Sequence, residues 1–156
     1  MKICITILLC VIAFTFNTYG QTAAKKTPPK GYDAKLAKKL GADNYGMKNY
    51  VFAMLKRGKI QFDADKRKDL IAGHMKTIGQ LAEAGKLVLA GPFMDDKDWR
   101  GIYIFDVKTI EEAQKLVESD PSIKEGLFEV ELHPWYGSAS LLEVMKIHKK
   151  IQKEAI

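Results

Sequence analysis

IYIFDVKTIEEAQKLVESDPSIKEGLFEVEL, residues 102–132, carries the pattern that decides the fold. Ile102 to Val107 is a short apolar run rich in β-branched and aromatic residues, which predicts a strand. Thr109-Ile110-Glu111-Glu112 has the spacing of a capping box, with Thr109 at the N-cap and Glu112 three residues on. A helix is expected from there to about Ser119. Pro121 cannot continue it, and the residue before a proline avoids helical geometry, so Asp120-Pro121 reads as the stop. Phe128, Val130 and Leu132 then alternate with Glu129 and Glu131, which predicts a strand over Leu127–Leu132. The stretch is a β-α-β unit.

The residues upstream repeat that order. Tyr50-Val51-Phe52-Ala53-Met54-Leu55 is an apolar run ending at Lys56-Arg57-Gly58 and reads as the first strand. Asp65 to Ala84 is a predicted helix, with Leu70, Ile71, Ile78 and Leu81 at helical spacing and Gly85 placed for a left-handed cap. Leu87-Val88-Leu89-Ala90 follows as a strand stopped by Gly91-Pro92, and Asp95-Asp96-Lys97-Asp98 is a polar turn. The sum is β-α-β-β-α-β, the ferredoxin-like α+β arrangement, with an extra C-terminal helix over about Ser140–Lys153. Strand Tyr50–Leu55 is apolar at every position and should be buried on both faces. Two core helices cover only one face of a sheet. Either a homodimer packed through the open faces or the C-terminal helix would cover the other.

The N-terminal segment has another character. Met1–Gly20 reads as a secretory signal peptide: Lys2, an apolar run from Ile3 to Phe16, then polar residues ending in Gly20. The run is short for a membrane span. Cys10 lies inside the run rather than at its end, which argues against lipidation. Cleavage near Gly20 would give a periplasmic or secreted protein without stable membrane insertion. Both cysteines, Cys4 and Cys10, would leave with the leader, so the mature chain has no thiol for a disulfide, a metal or a nucleophile. Residues 21–46 are a linker and N-terminal extension, with a short helix expected over Ala34–Leu40 before Gly41. The domain itself spans 47–156. Formal net charge is +6 for the 156 residues, and one unit lower without Lys2. The lysines are interspersed with acids and no arginine-rich stripe occurs, so nucleic acid is not the expected partner.

Two side chains stand out for chemistry. His74 lies four residues after Leu70 and four before Ile78, on the sheet-facing side of its helix. Spacing alone is equally met by a buried, hydrogen-bonded histidine without function. Asp120 sits before Pro121, where ordinary turn chemistry also explains it.

From about Tyr50 to Val144 the chain resembles YCII-related proteins. The matching pieces are Gly73-His74, Ala84-Gly85-Lys86-Leu87 leading to Gly91-Pro92, and Arg100-Gly101-Ile102-Tyr103-Ile104-Phe105. Further on come Ser119-Asp120-Pro121, Gly126-Leu127-Phe128 and His133-Pro134-Trp135. The resemblance implies a dimeric ferredoxin-like fold of the α+β barrel type and a pocket where His74 meets Asp120 as a candidate catalytic pair. The family includes a dehydrochlorinase, which points to a lyase or isomerase-like, cofactor-independent reaction on a small molecule. Histidine can take and give protons near neutral pH, and a carboxylate at one ring nitrogen fixes its tautomer. Gly91 and Pro92 are expected on the pocket rim, and Arg100 is a candidate for meeting an anionic substrate. The other functional class left open is a non-catalytic small-ligand binding or interaction module of the cell envelope. No cofactor is expected. His74, His133 and His148 form no local metal pair, although a haem held by His74 is a third alternative. Trp135 is expected as an interface or core anchor, and His148 on the exposed face of the last helix.

Overall fold

The computed structural model describes residues 27–154. The signal-peptide reading and the first part of the linker lie outside these residues. The chain divides into two units, Met1–Tyr32 and Asp33–Ile156. In the first, the described residues form a turn in which the Tyr32 N–H donates to the Pro29 carbonyl at 3.1 Å.

The second unit opens with α1, Ala34–Leu40. Asp33 caps it by accepting from the N–H groups of Lys35 and Leu36, and Gly41 ends it. Then follow β1 (Met47–Arg57), α2 (Ala64–Glu83), β2 (Leu87–Pro92), β3 (Trp99–Phe105), α3 (Ile110–Val117), α4 (Pro121–Lys124) and β4 (Phe128–Ser138). A 3₁₀ segment over Ala139–Glu143 leads into α5, Val144–Ile151. The four strands form one antiparallel sheet in the order β2-β3-β1-β4. That order, with helices between β1 and β2 and between β3 and β4, is the ferredoxin-like βαββαβ fold.

Local signals set the helix ends as the sequence predicts. The Thr109 hydroxyl accepts from the Glu112 N–H at 3.1 Å, while the Glu112 carboxylate reaches back to Lys108 N–H rather than to Thr109 itself. Gly85 follows α2 with φ +68°, a left-handed value that side-chain-bearing residues rarely adopt.

Several boundaries differ from expectation. Gly91 and Pro92 do not stop β2; they pair with Ile102 and Gly101. β2 is an edge strand, where proline's missing N–H leaves no ladder bond unmade. Pro134 is tolerated for the same reason on the other edge, so β4 runs on to Ser138 instead of ending near Leu132. β3 begins three residues before Ile102 and ends at Phe105. Pro121 ends nothing by itself. It occupies the first turn of α4, where its lack of an N–H is harmless, with Asp120 as N-cap. The C-terminal helix is shorter than predicted, because its first turns are 3₁₀.

Both faces of β1 are apolar, and each has its own cluster. Val51, Ala53 and Leu55 face α2 and α3 and pack with Leu70, Phe105 and Val117. Tyr50 faces the other way with Val88, Ile104 and, from the 3₁₀ segment, Leu141 and Leu142. The C-terminal segment therefore covers one end of the second sheet face. Trp135 flanks the same cluster, with ring centres 5.8 Å from Tyr50 and 6.1 Å from Phe52. Among the described residues no helix is long and apolar enough to cross a membrane.

Candidate functional site

Three parts of the fold converge beside the sheet. α2 carries His74, β3 carries Tyr103, and the junction of α3 and α4 carries Asp120 and Ser122. Their meeting depends on Gly73. A Cβ built there would stand 2.5 Å from Pro121 Cγ, so only glycine lets α2 come this close to the Asp120-Pro121 turn. His74 then faces Asp120 across 46 residues of sequence, with Nδ1 2.6 Å from Oδ2.

The hydrogen bonds define the protons. A carboxylate can only accept, so the Nδ1–H of His74 donates to Asp120 Oδ2. Asp120 Oδ1 accepts from the Ser122 N–H at 2.9 Å and from the Ser122 hydroxyl at 2.7 Å. Having given its hydrogen to Oδ1, Ser122 Oγ turns a lone pair toward the same Nδ1–H at 3.1 Å. Nε2 of the neutral ring is left without a proton; the Tyr103 hydroxyl lies 3.2 Å from both ring nitrogens, and with Nδ1 already a donor it can donate only to Nε2. That hydroxyl is 3.5 Å from Asp120 Oδ2 and can turn there when the ring takes a proton at Nε2. Among the described residues no buried side-chain polar atom lacks a partner.

The electrostatics follow from burial and these bonds. The His74 and Asp120 side chains retain 12% and 2% of their exposure. Burial pushes the Asp120 carboxyl upward, but hydrogen bonds from His74 and Ser122 and the charge of His74 outweigh it and hold the group below the usual carboxylate range. Burial raises the Tyr103 phenol well above its ordinary value, and the charge of Asp120 raises it further, so Tyr103 stays a protonated donor. The Phe128 ring packs against His74 at 5.2 Å and closes the site on that side.

His74 and Tyr103 lie on the wall of a cavity of about 690 Å³, while Asp120 and Ser122 stand behind them outside its lining. The volume is within the roughly 300–1,000 Å³ typical of small-molecule sites. Gly91, Pro92 and Arg100 also line it. Arg100 is held by Asp96 Oδ1 at 3.1 Å and by the Lys97 carbonyl at 3.2 Å. His148 is corrected: it is half-buried on the cavity wall and not on an exposed face. His133 lies on the opposite sheet face, paired in register with Phe52. No group of three or more potential metal-binding side chains occurs among the described residues.

Four site residues escape sequence reading. Tyr103 carries only the strand's alternation, which turns it toward the helices but says nothing of its hydroxyl. Ser122 follows Asp-Pro as in many capped turns. Arg67 stands seven residues before His74 on the same face of α2, a helical spacing that could have found it. Lys149 comes from α5, and no local pattern brings that helix to β2.

The model of the YCII-related domain matches residues 49–136, more than half of the chain. The uncharacterized protein YjpA of Bacillus subtilis (strain 168) is 27% identical over 86 residues, which cover 55% of this chain and 94% of that protein. A solved structure of 5-chloro-2-hydroxyhydroquinone dehydrochlorinase (TftG) from Burkholderia phenoliruptrix AC1100, in complex with 2,5-dihydroxybenzoquinone, is 27% identical. It matches over 55% of this chain and 92% of that chain with a TM-score of 0.42. The family span holds His74, Tyr103 and Asp120, and it leaves α1 and α5 outside.

Proposed function

Since the chain belongs to the YCII-related family, we propose that it is a small-molecule enzyme in which His74 is the general acid–base and Asp120 its positioning partner. The observation that carries the reading is the 2.6 Å bond from His74 Nδ1 to a buried carboxylate, on a ring that also lines the cavity. With Nδ1 occupied, Nε2 is the atom that exchanges protons with a ligand. It takes a proton from an acidic carbon or hydroxyl, and Asp120 stabilises the imidazolium that forms. Tyr103 then swings its hydrogen from Nε2 to Asp120 Oδ2 or to an oxygen of the ligand. Return of the proton at another atom is an isomerisation. Expulsion of an anionic leaving group in its place is an elimination. Neither needs a redox cofactor, and Gly91, Pro92 and Arg100 would border the bound molecule.

The test is proton exchange in D₂O, followed by NMR over a panel of small cyclic ketones, lactones and halogenated phenols. The reading expects deuterium incorporation or halide release that falls by roughly 10²–10⁴-fold in His74→Ala. Turnover that survives His74→Ala unchanged would contradict it. Binding without any turnover would favour a ligand-binding module.

The same proposal places the mature protein outside the cytoplasm, after removal of Met1–Gly20, as a homodimer. Half-buried Met54 and exposed Trp135, on the second sheet face, support the dimer. Mass spectrometry of the exported protein should find Gln21 as the first residue, and light scattering should give twice the chain mass. An intact Met1 or a monomer at micromolar concentration would reject each in turn.

A further inference from the structure

The cavity wall is chemically lopsided. Ile71, Ile78, Phe93, Ile102 and Met145 give it an apolar body. The charged side chains around that body are Arg67, Arg100 and Lys149 against one carboxylate, Glu83. The Arg100 partner, Asp96, keeps 90% of its exposure, so it compensates little. Arg67 and Lys149 are in no ion pair among the described residues.

The orientation of α5 supplies an independent observation. Met145, His148 and Lys149 share one face of α5, with Gln152 just beyond its end, and that face borders the cavity. Ile147 and Ile151, at 58% and 73% exposed, are turned elsewhere. A helix that merely sealed a core would turn its isoleucines inward. This one turns Met145, His148 and Lys149 to the cavity, and it lies beyond the residues that match the family model. Arg67 also lines the cavity, about 10 Å along α2 from His74 by helical rise.

We infer that the cavity takes an organic anion with an apolar, ring-sized body, such as an aromatic carboxylate or phenolate, and that Arg67 and Lys149 select for its charge. The inference rests on the reading of this cavity as the ligand site of His74. The apolar walls take up the ring, and the cations at the mouth meet the anion where water still screens them. Neutral molecules of the same shape lose that contribution.

The intact chain can be titrated with 1-anilinonaphthalene-8-sulfonate and with N-phenyl-1-naphthylamine, which has the same rings without the sulfonate. Fluorescence gives both affinities, and the His74 Cε1 resonance shows whether the probe reaches the dyad. In Arg67→Gln/Lys149→Gln the sulfonate should bind roughly tenfold more weakly, as expected for two lost charges at partly screened range. The neutral probe should bind as before, which also shows that the variant is folded. Sulfonate affinity that is unchanged in the variant, with the His74 resonance still moving, overturns the charge inference and leaves the acid–base reading standing. A charge-dependent affinity with a motionless His74 resonance upholds the anion site and sinks the placing of the ligand at His74.

Discussion

Two histidines in this molecule stand near a carboxylate, on opposite faces of one sheet. His133 and Glu131 are two residues apart on β4 and therefore share a face; Nε2 and Oε2 are 3.9 Å apart, with 55% and 46% of the side chains exposed. His74 and Asp120 are 46 residues apart, 2.6 Å from each other, and almost removed from water. The pair that is adjacent in sequence is screened and loosely held. The pair assembled by the fold is desolvated and has Ser122 and Tyr103 to fix its protons. Burial with complete hydrogen bonding separates a candidate catalytic dyad from an incidental contact, and closeness in sequence does not.

The contrast can be broken most forcefully at the carboxylates. Asp120→Ala removes the α4 cap and strands the polar atoms of Ser122 and His74, and it should cost about 3 kcal/mol of stability in urea unfolding. A change as small as that of Glu131→Gln would erase the distinction. The loss should also depend on pH. The folded Asp120 carboxyl lies below its unfolded value of about 3.9. Its contribution is therefore fully present above about pH 4 to 5 and disappears as pH falls through the lower folded value. Comparing wild type with Asp120→Asn, the stability difference should shrink with acid over that range, and a difference that grows with acid would reverse the assignment.

Smaller changes sharpen the comparison. Gly73→Ala sets a methyl against Pro121; overpacking of about 2 kcal/mol, partly offset by alanine's better helix propensity, leaves a net loss of about 1 kcal/mol. Its sharper signature is a weakened bond between His74 and Asp120, seen as faster exchange of the Nδ1 proton. Tyr103→Phe should cost about 1 kcal/mol, one buried hydrogen bond, and should leave the bond from Nδ1 to Asp120 in place. Loss of that bond in Tyr103→Phe would mean that the phenol, and not Gly73 and the α4 cap, sets the geometry. Glu131→Gln and His133→Gln should change unfolding by no measurable amount, as exposed pairs do.

The sequence carries most of this fold because its signals are local. Gly85 after α2, Thr109 with Glu112, and the alternation of Phe128, Val130 and Leu132 each act within one turn or one strand. Where reading fails, a tertiary fact decides. Gly91-Pro92 reads as a stop until β2 is known to be an edge. Leu141 and Leu142 cover one end of the second sheet face only because the chain turns back over it. At the site, His74 and Asp120 each look ordinary by spacing, and only the family resemblance brings them together. Tyr103, Ser122 and Lys149 carry no mark of their own: their roles exist only once β3, α4 and α5 are placed.

The central claim is that Asp120 holds the His74 proton on Nδ1 and leaves Nε2 bare beside Tyr103 at the cavity. Long-range ¹⁵N–¹H correlation of the His74 ring reads this directly. In the neutral ring of the wild type the account predicts the Nδ1–H tautomer, and in Asp120→Asn a shift of population toward Nε2–H. A wild-type ring protonated at Nε2, or a tautomer indifferent to Asp120→Asn, would contradict it.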